Sequence, residues 1–121
     1  MTDWLSISSI NTILYCNKWR ETVEFYQNWL KLPVNFSSDW FIEFQLGQSA
    51  YLSVADATRA MIKSSQGAGL TLTLRVENAA EAWQLLKHNG IAVGPIKEVW
   101  GARVFYFYDP EGYRLEVWSS K

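Results

Sequence analysis

Hydrophobic and polar positions in the first half of the chain predict one strand, one helix and three further strands. Residues 10–16 are rich in β-branched and aromatic side chains, which is typical of a strand. Apolar residues then recur at helical spacing, with Asn17 as the expected N-cap and Pro33 ending the helix near residue 32. Short strands are predicted at 34–37, 40–46 and 49–55, followed by a linker over 56–69.

The second half of the chain repeats this order. Residues 70–76 alternate regularly between apolar and polar side chains, which predicts a strand. Asn78 and Glu81 are spaced as in a capping box at the start of a helix, and Gly90 is its expected C-terminal stop. Further strands are predicted at 91–99, 102–108 and 113–118, with a type I turn of sequence D-P-E-G at 109–112.

The two halves align with each other, which indicates an internal duplication. Thr71 follows Asn11 by 60 residues in matching strands, and Glu116 follows Ser53 by 63. We therefore predict one domain over 1–121 made of two half-repeats, about 8–56 and 69–119. The expected fold class is α+β, with two tandem βαβββ modules forming a curved mixed sheet around a cleft. The pattern leaves open whether the halves pair within one chain or exchange between two chains.

Alternation along each strand assigns side chains to the helix-covered face or to the cleft. Leu72 and Leu74 are apolar and are expected beneath the second helix, while Leu115 and Val117 mark the buried side of the last strand. The opposite parity predicts a set of cleft residues in both halves: Asn11, Ile13, Tyr15, Ser53, Thr71, Thr73, Arg75, Arg114, Glu116 and Trp118.

Composition narrows the possible classes of protein. The 121 residues are 49% hydrophobic and 19% charged, which excludes a disordered chain. With 11 basic and 12 acidic residues and no basic tract, nucleic acid is an unfavourable partner. Cys16 is the single cysteine, so neither an internal disulfide nor a thiolate metal site can form. No targeting segment or apolar run of membrane length is visible, and we expect a soluble, cytoplasmic protein.

Aromatic residues are unusually abundant, with 7 Trp, 6 Tyr and 6 Phe. A concave surface with many rings and few polar groups suits a small organic ligand. The candidate stacking platforms are Tyr15, Trp40, Trp100 and Trp118. The competing interpretation places most of these rings in the core or against a second subunit.

Two segments of the chain, one near each end, carry motifs of one known superfamily. The sequence ILYCNKWRETVEFYQNWL from Ile13 to Leu30, followed by K-L-P-V, resembles its opening strand and helix. The ending from Trp100 to Trp118, with the D-P-E-G turn and the triplet L-E-V, is similar to its closing hairpin. Together the two segments resemble the superfamily of glyoxalases, bleomycin-resistance proteins and extradiol dioxygenases. The resemblance covers essentially the whole chain and implies the two-module fold. It also implies a homodimer, since members commonly dimerise.

Enzymes of this superfamily bind a divalent metal through His and Glu side chains at inward positions. The resemblance implies which residues of this chain occupy the same positions. This chain has Asn11, Ser53 and Thr71 at three of those positions and keeps only Glu116. His88, the single histidine, is expected at the solvent end of the second helix. One carboxylate with an amide and two hydroxyls would hold a catalytic metal weakly, so we expect no metal and no cofactor. A divalent metal at Glu116 is the weaker alternative.

Three functions follow from these observations as hypotheses. The leading one is metal-independent binding of an aromatic or drug-like molecule, as in the bleomycin-resistance branch. Its candidate binding residues are Asn11, Tyr15, Trp40, Ser53, Thr71, Thr73, Trp100, Glu116 and Trp118. The alternative is a lyase, isomerase or oxygenase with Glu116 as a base or in a degenerate metal site. The third is an interaction role for exposed aromatic residues. Glu116 either recognises a ligand or pairs with Arg75 or Arg114.

Overall fold

A computed structural model describes residues 4–121 and divides the chain into two compact units. Module 1 comprises the described residues up to Ser64, and module 2 runs from Ser65 to Lys121. Each module has a four-stranded mixed sheet and a helix between its first and second strands. The predicted class, α+β with two tandem βαβββ modules, is confirmed. No helix within residues 4–121 is long and apolar enough to cross a membrane.

Module 1 packs helix α1 against one face of its sheet. Its elements are β1 (Ile10–Cys16), α1 (Trp19–Glu24) continued by a π-helical turn (Phe25–Trp29), β2 (Val34–Ser37), β3 (Phe41–Gln45), β4 (Ala50–Asp56) and α2 (Ala57–Ala60). The strand order is β1-β4-β3-β2, with β1 parallel to β4 and the other neighbours antiparallel. Leu14, Tyr26, Phe44 and Leu52 are almost completely buried. They form the centre of the core of this module.

Three local predictions for module 1 are wrong. The N-cap of α1 is Lys18 rather than Asn17. The helix ends at Trp29, before residue 32, because the chain turns into the left-handed conformation at Lys31 (φ 56°). The first residues of the segment 56–69 are not a linker, because Asp56 is the last residue of β4. The Asp56 carboxylate also accepts the Thr58 amide hydrogen at 3.0 Å. This N-cap bond starts α2.

Module 2 has the same order of elements. They are β5 (Thr71–Arg75), α3 (Ala79–His88), β6 (Lys97–Val99), β7 (Ala102–Tyr108) and β8 (Arg114–Ser120), and the strand order is β5-β8-β7-β6. The Asn78 side chain accepts the Glu81 amide hydrogen at 3.1 Å, so the predicted helix start is confirmed. His88 is exposed at the end of α3, as expected.

The strand predicted over 91–99 forms only at 97–99. Upstream of β6, the Gly94 amide donates one hydrogen bond to the Tyr106 carbonyl at 2.9 Å. Pro95 follows and has no amide hydrogen with which to continue the ladder. The apolar pattern of this segment therefore reflects partial burial, not strand pairing.

The turn between β7 and β8 is organised by Asp109. The Gly112 amide donates to the Asp109 carbonyl at 3.0 Å, which confirms the predicted turn. One carboxylate oxygen of Asp109 also accepts the amide hydrogens of Glu111, Gly112 and Tyr113 at 2.9–3.0 Å. Asp109 and the bonds from Glu111 and Tyr113 are buried, so these two bonds satisfy amides that water does not reach. The turn thereby sets the direction of β8, the strand that carries Glu116.

Candidate functional site

The candidate site lies on the face of the module 2 sheet opposite α3. In β8, Leu115 and Val117 are buried, while Glu116 and Trp118 are partly exposed on the other face. Alternation places Arg114 on the same face as these two residues. We call this surface the open face of module 2. It carries the residues that parity predicted for it: Thr71, Thr73, Arg75, Arg114, Glu116 and Trp118.

A cavity of about 330 Å³ lies on the open face, near β6 and β7. The strand register places Tyr106 beside Glu116 and Val104 beside Trp118, so β7 and β8 together form its base. Trp100, at the tip of the β6–β7 hairpin, is 99% exposed and lies at its rim. The residues lining the cavity all belong to module 2: Val99, Trp100, Ala102, Val104, Tyr106, Glu116 and Trp118. The cavity thus combines three aromatic rings with one carboxylate.

The carboxylate of the cavity is hydrogen-bonded to a tyrosine. The Tyr106 hydroxyl donates to Glu116, and this bond raises the pKa of Tyr106 because an ionised phenol could no longer donate it. Burial and the negative charge of Glu116 act in the same direction, while the positive charge of Arg114 opposes them. None of the ion pairs found within residues 4–121 includes Glu116. The partner of this carboxylate is therefore a tyrosine and neither of the two arginines considered from the sequence.

The two arginines of the open face contact aromatic rings instead. The Arg75 guanidinium lies 4.8 Å from the centroid of the Trp118 ring. The Arg114 guanidinium lies 4.8 Å from the centroid of the Tyr106 ring, and its Nε donates to the Thr71 hydroxyl at 2.9 Å. Such cation–π contacts contribute about 0.5–1 kcal/mol each at exposed sites. They help to hold two of the rings that line the cavity.

Tyr106 is expected to titrate at higher pH than an ordinary tyrosine. Because its pKa is raised in the folded protein, the free energy of unfolding is unaffected below the ordinary value of 10.0 and falls as the pH rises from there through the raised pKa. Glu116→Gln removes the negative charge and should lower the Tyr106 pKa towards its ordinary value. Ultraviolet titration of the phenols measures this, with Tyr106→Phe identifying the transition. An identical titration in Glu116→Gln would contradict the interpretation.

Module 1 presents an equivalent face with different chemistry. Its register aligns Ser53 on β4 with Glu43 on β3, at the positions that correspond to the glutamate–tyrosine pair of module 2. The Ser53 hydroxyl is buried and donates to the Asn11 amide oxygen at 2.8 Å. Asn11 and Asn35 each donate an amide hydrogen to Glu43. These polar groups are hydrogen-bonded to one another within the module.

The nine predicted binding residues are divided between the two modules. Trp100, Glu116 and Trp118 line the cavity, and Thr71 and Thr73 lie beside it on the open face. Trp40 lies immediately before β3 in module 1, where its ring is 5.6 Å from that of Phe41. The other three belong to β1 and β4 of module 1: Asn11, Tyr15 and Ser53. Ligand contact at all nine positions stays a prediction.

Sequence reasoning missed several residues of these faces, and Tyr106 and Glu43 are the two with polar chemistry that matters to the site. Tyr106 was missed because β7 is apolar on both sides, with Val104 and Phe105 both buried, so alternation carries no signal there. Glu43 was missed although the signal was present. It is the polar position between Ile42 and Phe44, which are buried on the helix-covered side. Parity applied to β3 would have assigned Glu43 to the same face as Ser53.

The donor groups of this chain do not fit the metal site that its resemblance to glyoxalases and dioxygenases implies. Asn11, Ser53 and Thr71 are neutral, and Glu116 is the single carboxylate of the four corresponding positions. Within residues 4–121, no group of three or more His, Cys, Asp or Glu side chains could hold a metal ion. Imidazole, thiolate and carboxylate ligands supply most of the affinity for catalytic transition metals. No catalytic step through a metal follows from this donor set.

Known proteins provide an independent comparison. A family model described as a glyoxalase-like domain matches residues 9–121. No curated protein matches the chain. The fold is similar to that of a glyoxalase/bleomycin resistance protein/dioxygenase from Nocardioides, with 22% identity, 99% of this chain and 86% of that chain covered, and a TM-score of 0.78.

Two further solved structures show the range of proteins with this fold. Lactoylglutathione lyase from Agrobacterium tumefaciens is 17% identical, with 91% of each chain covered and a TM-score of 0.73. An antibiotic binding protein from Streptomyces sp. CB03234 is 19% identical, with 96% of this chain and 98% of that chain covered and a TM-score of 0.77. At these identities the likeness is one of fold, and it includes both an enzyme and a binding protein.

Proposed function

We propose that this chain, which belongs to the glyoxalase-like domain family, binds a small, flat, aromatic or drug-like molecule without a metal ion. The observation that carries the proposal is the cavity on the open face of module 2. Its volume of about 330 Å³ lies at the lower end of the range for ligand pockets, roughly 300–1,000 Å³. A molecule of one or two fused rings is the size that such a cavity suits.

The conformation of Trp100 supports the proposal. Its side chain is 99% exposed, and its backbone φ is 53°, in the left-handed region that is unfavourable for a bulky residue. Neither burial nor backbone preference therefore favours tryptophan at this position. Stacking on a molecule held in the cavity would give the indole a partner, and each aromatic contact contributes about 0.5–1.5 kcal/mol beyond buried area.

The chemistry of the site also favours binding over metal-dependent catalysis. The donor set is poor in ionisable groups, while the cavity walls are rich in aromatic and apolar side chains. Ligand sites commonly combine apolar walls with a few well-placed polar groups. The similarity in fold to an antibiotic binding protein is consistent with this function.

Trp118→Ala is expected to weaken the binding of naphthalene-sized aromatic compounds about tenfold, because the ring forms one wall of the cavity. A panel of one- and two-ring compounds is first screened by thermal shift, and affinities are then measured by calorimetry. Trp4→Ala is the matched control, since Trp4 is 95% exposed and lies outside the cavity lining. It should bind like the wild-type protein.

Two results would contradict the proposed function. One is a wild-type protein that binds no member of the panel. The other is equal binding by wild-type protein and Trp118→Ala when both are folded, because the ligand would then occupy a surface other than this cavity.

A further inference from the structure

The charge of the cavity points to a class of ligand, an inference that rests on the proposed function. Glu116 is the one charged residue among those that line the cavity. It forms none of the ion pairs found in the described part of the chain, residues 4–121. A partly buried carboxylate without a cationic partner is unfavourable, and a bound cation would relieve that cost.

Within residues 4–121, neither neighbouring arginine forms an ion pair with this carboxylate. Arg75 and Arg114 are exposed, and their guanidinium groups lie over the rings of Trp118 and Tyr106. Neither arginine lines the cavity. Glu116 is less exposed than either arginine, so solvent and salt screen its charge less than theirs. A ligand in the cavity is therefore expected to interact mainly with the negative charge.

The hydrogen bond from Tyr106 leaves acceptor capacity on Glu116. An ionised carboxylate has two oxygens and about four lone-pair positions, of which one phenolic hydrogen uses one. The remaining positions can accept hydrogen bonds from a ligand. Bonds between a carboxylate and a cationic nitrogen are about twice as strong as neutral ones.

We propose that the cavity selects a flat aromatic molecule that carries a protonated nitrogen. The nitrogen donates hydrogen bonds to the Glu116 carboxylate, while the aromatic part of the ligand lies against Trp118 and Val104. The rings of Trp100, Trp118 and Tyr106 line the same cavity and can stabilise a positive charge through their faces. No covalent step is involved.

Three naphthalene probes of nearly equal size test this selection: 2-naphthylmethylamine, 2-naphthylmethanol and 2-naphthoate. Calorimetry at neutral pH and constant ionic strength measures each affinity. We expect the amine to bind about tenfold more tightly than the alcohol, and the carboxylate to bind most weakly. Glu116→Gln should abolish the preference for the amine, so that the variant binds the amine and the alcohol with similar affinity.

Tyr106→Phe is a second variant, and it should raise the affinity for the amine, which Glu116→Gln should lower. Removing the hydroxyl leaves the Glu116 carboxylate to the ligand alone, so the affinity for the amine should rise about twofold to threefold. The affinity for the alcohol should change less. General damage to the cavity would weaken both ligands, and a selective gain for the amine is therefore diagnostic.

The outcomes separate this inference from the proposed function. Equal binding of amine and alcohol, or tightest binding of the carboxylate, would overturn the charge selection and leave aromatic binding intact. Loss of both amine and alcohol binding in a folded Glu116→Gln would also overturn it. Binding of none of the three probes by wild-type protein would overturn the charge selection and the proposed function together.

Discussion

Replacing Asp109 with alanine is expected to lower the free energy of unfolding by about 3 kcal/mol. The variant removes the carboxylate, one oxygen of which accepts the amide hydrogens of Glu111, Gly112 and Tyr113 at 2.9–3.0 Å. Since Asp109 and the two outer amides are buried, water cannot replace all of these bonds. Chemical unfolding followed by tryptophan fluorescence measures the loss, with the slope against denaturant unchanged.

Asp109→Asn is the matched control for the alanine variant. It keeps a carbonyl oxygen that can accept the same amide hydrogens but removes the negative charge, which strengthens such bonds. Its expected cost is about 1 kcal/mol. Equal destabilisation by alanine and asparagine would show that charge, and not the three bonds, stabilises the turn. A cost below about 1 kcal/mol for alanine would show that the turn tolerates their loss.

Gly67→Ala is the second substitution with a large expected effect, because two stretches of backbone touch at this position. An added Cβ would lie 1.9 Å from the carbonyl oxygen of Gly112 and 2.9 Å from the amide nitrogen of Tyr113. Both are backbone atoms, so no side-chain rotation relieves the overlap. Overpacking of this kind costs about 1–3 kcal/mol, in addition to about 1–2 kcal/mol for the left-handed φ of +91°.

Gly69→Ala separates the two contributions. Gly69 also has a left-handed φ, +78°, but a Cβ there would meet no atom within 4 Å. It should lower the free energy of unfolding by about 1–2 kcal/mol, and Gly67→Ala by about 1–3 kcal/mol more. Equal effects of the two variants would mean that the segment near Gly67 moves away from the turn without cost.

Much of the fold could be predicted because strand and helix periods are local properties. The regular alternation of 70–76 predicted β5, and Asn78 predicted the start of α3 from its capping chemistry. Predictions failed at the boundaries of elements, where strand pairing or the chemistry of one residue decided the outcome. Asp56, placed in a linker, ends β4 and caps α2, and Pro95 interrupts a segment whose apolar pattern resembles a strand.

The candidate site was predictable only in part. Alternation along β8 was enough to place Glu116 and Trp118 on one face of the sheet, because the apolar residues that alternate with them identify the buried face. Parity failed for Tyr106, because β7 is apolar on both faces. Trp100 was identified as a stacking candidate, but its exposure and left-handed backbone were not visible in the pattern.

The sequence alone determines the order of the elements and the duplication, because both depend on the spacing of residue types. It also determines which polar and metal-binding side chains are available on each face of a strand. The hydrogen-bond partner of Glu116 and the shape of the cavity depend on which strands become neighbours and on how long side chains orient across them. The register of β7 and β8 places Tyr106 beside Glu116, while the guanidinium groups of Arg75 and Arg114 lie over aromatic rings. Side-chain packing therefore gives Glu116 a tyrosine as its partner and not an arginine. The cavity lining consequently keeps the negative charge of Glu116.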